Sequence, residues 1–98
     1  MNWKVLAGLL AGALAAGAAQ AQPSQEGEEL YEEHCASCHG EKLRSTGAIP
    51  DLRELGADNR ARFDTAVLEG RGQMPAWQGV LTPQEIDQVW AYVRGNAR

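Results

Sequence analysis

Apolar residues recur at helical spacing in three places along the chain. From about residue 25 to the first cysteine, Gly27, Leu30, Tyr31 and His34 or Cys35 fall on one face. Glu28, Glu29, Glu32 and Glu33 take the other face, and Ser24 stands where a helix cap belongs. A second helix is expected over residues 59–69, with Asp58 or Asn59 as cap, Phe63, Ala66 and Val67 as its stripe, and Gly70 as its stop. The last helix has the clearest start. Thr82-Pro83-Gln84-Glu85 is a capping box with proline at the first helical position, and Ile86, Val89, Trp90 and Val93 follow as one apolar face ending at Gly95. Between these, residues 40–56 lack periodicity and carry the breakers Gly47 and Pro50, with a short turn expected near Leu52 to Leu55. Residues 70–79 form a glycine-rich loop holding Met74, Pro75 and Trp77. No strand pattern or internal repeat is found, so the expected fold class is all-α, with three to four short helices joined by long loops.

The first 21 residues follow a different pattern. Lys4 makes the start positive, an Ala- and Leu-rich run follows from Val5 to Ala19, and Ala19-Gln20-Ala21 is a small-x-small cleavage pattern. Residues 1–21 therefore read as a secretory signal peptide, cut after Ala21, and residues 22–98 as the domain. The rival reading is an uncleaved anchor, although the run is short for a membrane span.

Composition adds limits rather than a function. With 44% hydrophobic and 22% charged residues, the chain has the balance of an ordinary globular protein. Its net charge of −4 lacks the basic surplus of a nucleic-acid binder, and loss of Lys4 with the leader makes the domain one unit more acidic. A domain this small buries little apolar surface and usually needs a staple. A Cys35–Cys38 disulfide would close too small a loop to supply one.

Cys35-Ala36-Ser37-Cys38-His39 changes that picture. Two thiols on one helical turn face the same way and can each form a thioether with a vinyl group on one edge of a porphyrin. His39 follows at once and can ligate the iron, which is the pattern of c-type haem attachment. A large flat apolar cofactor would also supply the missing core. Other readings are weaker. A zinc site from His34, Cys35, Cys38 and His39 would crowd four ligands onto one turn, whereas structural zinc sites gather separated pairs. A thioredoxin-like dithiol needs a βαβ setting that is absent here, and a plain disulfide leaves His39 unexplained.

From Gly27 with Tyr31, through CASCHG, IPDL, MPAW and VWAYV, the domain resembles the class I c-type cytochromes. The segments Ile49–Arg53 and Gly72–Trp77 are also similar to the cytochrome domain of quinohaemoprotein alcohol dehydrogenases. The resemblance implies a cytochrome c fold of short helices around one covalent haem c. It assigns Cys35 and Cys38 to the thioethers, His39 to the proximal ligand and Met74 to the distal ligand. It further implies that the Pro50 carbonyl accepts from the other ring nitrogen of His39, and that Leu52 lies against the haem. Gly27 and Tyr31 would cross Val89 and Tyr92 of the last helix. Read from the residues alone, the alternative for Met74 is a core methionine. Trp77 and Trp90 read as pocket or core residues, His34 as a surface or helix-packing residue, and Arg53 as either a propionate partner or a solvated side chain.

The function these features imply is that of a periplasmic electron carrier, not an enzyme, with His/Met axial ligation. The partners implied are a periplasmic dehydrogenase, an oxidase or another cytochrome, met in small transient contacts. Two alternatives remain: a fixed electron-transfer subunit of a dehydrogenase complex, and a haem enzyme or gas sensor with an open distal site. The Glu run of the first helix reads as a solvated face or as a docking patch for a basic partner.

Overall fold

The computed structural model describes residues 23–98. The expected leader, residues 1–21, lies outside the described residues. Four α-helices follow in order: α1 (Pro23–His34), α2 (Ala36–His39), α3 (Arg60–Glu69) and α4 (Pro83–Gly95), with three single 3-10 turns between α2 and α3. Among the described residues there is no strand, only two isolated bridges, Arg71 with Met74 and Gln78 with Leu81. No helix among them is long and apolar enough to cross a membrane.

The all-α expectation holds, with local differences. Helix α1 starts two residues before the expected point, with Pro23 in the first turn, where its missing N–H costs nothing. It also ends before the cysteine motif. Cys35 has φ −119° and ψ −30°, and the rest of the motif forms a separate single turn, α2, instead of extending α1. Asn59 precedes α3, but its side chain makes no capping bond. At α4 the capping box forms in full. Thr82 Oγ1 accepts from the Glu85 N–H at 3.1 Å, and Glu85 Oε1 accepts from the Thr82 N–H at 2.9 Å.

The terminal helices cross at Gly27. A Cβ built there would lie 2.0 Å from the Gln88 carbonyl oxygen and 3.0 Å from the Tyr92 Cβ, so only hydrogen fits. The crossing is the one the resemblance implies, though the main-chain contact falls on Gln88 rather than Val89. Tyr31 and Tyr92 stack at a tilt with ring centroids 5.4 Å apart, and Gln88 Nε2 donates to Glu26 Oε2 across the same contact. Tyr31, Leu43, Phe63, Val67, Leu81, Ile86, Val89, Tyr92 and Val93 form the buried core. Phe63 and Trp90 rings meet at 5.0 Å, and Arg60 bonds both Asp64 and Asp87, which ties α3 to α4.

Candidate haem-attachment site

The site is built on α2. The His39 N–H donates to the Cys35 carbonyl at 2.9 Å and the Gly40 N–H to the Ala36 carbonyl at 2.8 Å, so both cysteines and His39 are held on one turn. Gly40 then turns the chain at φ 98°, where a Cβ would strike the Arg44 carbonyl oxygen at 1.9 Å. Lys42 and Leu43 also take left-handed backbone, φ 53° and 66°. For non-glycine residues this costs about 1–2 kcal/mol each. Complete burial of Leu43 and a bond from the Lys42 N–H to Glu32 Oε2 at 2.9 Å hold the turn in place. The Tyr31 hydroxyl donates to the Gly40 carbonyl at 2.7 Å, fixing the motif to α1.

Both thiols are free, Cys35 half-buried and Cys38 exposed. Burial, then the neighbouring Cys38 and Glu32, pushes the Cys35 thiol up to about 11. Burial also lowers the pKa of His39, which favours the neutral imidazole, the form that ligates metals. His39 Nδ1 is buried and has no hydrogen-bond partner. The bond to the Pro50 carbonyl implied by the resemblance is therefore not formed. An unmet buried nitrogen of this kind costs about 1–3 kcal/mol.

Met74 sits in the loop after α3, half-buried and packed, like Cys35, against the hydrophobic core. Its N–H donates to the Arg71 carbonyl at 2.9 Å and its carbonyl accepts from the Arg71 N–H at 3.0 Å. Gly70, at φ 82°, makes this tight return possible, since a Cβ there would lie 2.6 Å from the Met74 oxygen. The Trp77 N–H donates to the Val67 carbonyl at 2.8 Å, anchoring the loop to α3. His34 meets the Trp77 ring edge-on at 5.0 Å, so it is a packing histidine that joins α1 to the Met74 loop. Leu52, Leu55, Leu68, Met74 and Trp77 all pack on the core while keeping part of their apolar surface uncovered.

Two features escaped the sequence reading. Arg53 is neither a free nor a solvated arginine. Asp51 accepts from its N–H at 2.9 Å, its Nε at 3.0 Å and its Nη2 at 2.8 Å. The Asp-x-Arg spacing was the available signal. Ser45 Oγ donates to the Ile49 carbonyl and accepts from the Gly47 N–H at 3.0 Å, closing the loop before Pro50.

The family of cytochrome c oxidase, cbb3-type, subunit III, matches residues 22–93. Cytochrome c6 of Anabaena variabilis is 38% identical over 79 residues, 76% of this chain and 92% of that protein. The chain belongs to the class I c-type cytochromes. The cytochrome is also 39% identical over 72 residues to quinohemoprotein alcohol dehydrogenase ADH IIB of Pseudomonas putida, covering 70% of this chain and 10% of the enzyme. The solved structure of the related ADHIIG from Pseudomonas putida HK5 superposes with a TM-score of 0.71 at 30% identity, over 83% of this chain and 12% of that one. The cytochrome thus spans about a tenth of these dehydrogenase relatives. Its fold is that of cytochrome c, and its family carries one covalent haem c.

Proposed function

We propose that this cytochrome is an exported, periplasmic single-haem carrier in which Cys35 and Cys38 form the thioethers and His39 and Met74 are the axial ligands. The observation that carries the assignment is the buried, unpartnered Nδ1 of His39 on the same turn as two free thiols. A ring held neutral by burial, with one nitrogen lacking a partner, suits a metal-ligating histidine whose other nitrogen awaits an outer hydrogen bond. When bound, haem c supplies a one-electron iron couple.

The remaining residues divide the work of holding that group. The Tyr31–Gly40 bond fixes the attachment turn against α1. The Arg71–Met74 bridge and the Trp77–Val67 bond fix the height of the methionine loop. The half-covered side chains of Leu52, Leu68 and Trp77 offer apolar walls that exclude water. A thioether ligand raises the potential relative to harder ligands. Donors and acceptors of the chemical classes implied by the sequence, a dehydrogenase, an oxidase or another cytochrome, would be met through transient contacts. The likeness to a tenth-length segment of alcohol dehydrogenases favours a second reading, a fixed electron-accepting subunit of such an enzyme. Gel filtration of native periplasm separates the two, since a fixed subunit elutes with the enzyme.

Carbon monoxide tests the ligand set. Wild-type ferrous protein should resist it at neutral pH, and Met74→Ala should bind it readily. Equal binding by both proteins would remove Met74 from the ligand set and turn the reading toward an open-site sensor or enzyme.

A further inference from the structure

The cations of this acidic chain are not evenly spread. Lys42, Arg44, Arg53 and Arg98, four of the nine Lys and Arg residues in the sequence, line one cavity of about 540 Å³ between the start of α1, the end of α4 and the loop after α2. Glu28 is the one acid in that lining. None of Cys35, Cys38, His39 or Met74 contributes to it. We propose that this recess binds a multiply charged phosphate anion.

The recess is built by the fold. Lys42 and Arg44 are delivered by the left-handed turn that follows Gly40, closed by bonds from Leu43 N–H to Gly40 and from Arg44 N–H to Glu41. Arg53 is aligned by its three bonds to Asp51. The Arg98 N–H donates to the Arg53 carbonyl at 2.9 Å, which brings the two arginines side by side. Asn96 is held nearby by its bond to the Tyr92 carbonyl at 2.8 Å.

Of the four charges, that of Arg53 is met by the Asp51 carboxylate at 2.8 Å, and the other three are met only in part. Lys42 Nζ lies 3.6 Å from Glu28 in an exposed pair, and Arg98 lies 3.9 Å from an exposed Glu54 carboxylate. Such exposed pairs contribute little. Among the described residues, no carboxylate lies within ion-pair distance of Arg44. Like charges gathered at one recess repel each other, and a polyanion relieves that repulsion. Guanidinium forks match phosphate oxygens two at a time, which a lysine cluster alone does not offer. The volume falls within the range of about 300–1,000 Å³ typical of small-molecule sites, so more than one phosphate group fits. The chemistry is common to a soluble polyphosphate and to the phosphate of a lipid headgroup.

The test uses the full haem-loaded protein. Calorimetric titration with pyrophosphate at low salt should show saturable one-to-one binding that weakens as salt rises. Arg44→Gln and Arg98→Gln should each weaken it by roughly tenfold, the loss of one charged hydrogen bond. Arg62→Gln, exposed on α3 and outside the recess, should leave it unchanged. Co-sedimentation with phosphatidylglycerol vesicles, against phosphatidylcholine vesicles, identifies the source. Vesicle binding that pyrophosphate displaces assigns a lipid headgroup, and pyrophosphate binding without vesicle binding assigns a free anion. Absence of binding to both probes, or binding that the Arg44→Gln, Arg98→Gln double variant retains, overturns the proposal.

Discussion

Replacing Gly27 with alanine sets two physical effects against each other. Alanine is the better helix former by about 1 kcal/mol, so propensity alone predicts a more stable protein. The structure predicts the reverse. The new methyl would meet the Gln88 carbonyl oxygen at 2.0 Å and its carbon at 2.8 Å, both main-chain atoms within α4 that cannot swing aside. The helices must separate by more than an ångström, which loosens the Tyr31–Tyr92 contact at the centre of the core. Overpacking of this kind costs about 1–3 kcal/mol, and a clash with main chain belongs at the upper end. Subtracting the propensity gain leaves a net loss of about 2 kcal/mol. For a domain of this size, that lowers Tm by roughly 8–16 °C. Thermal unfolding of the haem-loaded protein followed by circular dichroism at the helix band measures it. Gly95→Ala is the internal control, because nothing lies within 4 Å of a Cβ there. Its Tm should stay level or rise slightly. A Gly27→Ala protein that melts at or above wild type would refute the close crossing.

Other changes probe single devices. Thr82→Ala removes the cap and half of the capping box, and should lower stability by about 1 kcal/mol, read from the denaturant midpoint. Arg53 hydrogen bonds hold the Asp51 carboxyl at about 2, below its ordinary value of 3.8. A lowered native pKa contributes stability above pH 4 that is lost as pH falls toward 2. Wild type should therefore exceed Asp51→Asn near neutrality and converge with it in urea titrations at pH 2. Gly70→Ala must abandon φ 82° and the contact with the Met74 oxygen, so it should displace the methionine loop and admit carbon monoxide as Met74→Ala does. Mass spectrometry of protein recovered from periplasm should show a chain beginning at Gln22. Retention of residues 1–21 in a membrane fraction would favour an anchor.

Much of the helical frame was legible because its signals are local. Thr82, Pro83 and Glu85 lie within one turn of each other, and the capping box they spell forms as written. The stripe of α3 behaves likewise, with Phe63 and Val67 buried and Gly70 ending the helix. That Cys35, Cys38 and His39 share one turn was equally legible, since that placement needs only local geometry. What the sequence hid depends on contacts distant along the chain. Periodicity runs through Cys35 without a break, yet the chain leaves α1 there, where the turn at Gly40 is tied back by the Tyr31 hydroxyl. The Glu face of α1 read as solvated or as a docking patch. Glu29 and Glu33 are exposed, and Glu32 also accepts from the Lys42 main chain. Arg53 was ambiguous because its partner, Asp51, also reads as an ordinary turn residue.

The proposed carrier role rests above all on haem bonded to Cys35 and Cys38 beside His39. Proteolytic digestion of the purified, denatured protein after thiol alkylation, followed by tandem mass spectrometry, tests it at residue level. One haem-bearing peptide is expected, the one containing Cys35 to His39, with no alkyl label on either sulfur. Recovery of that peptide without haem and alkylated at both cysteines would contradict it.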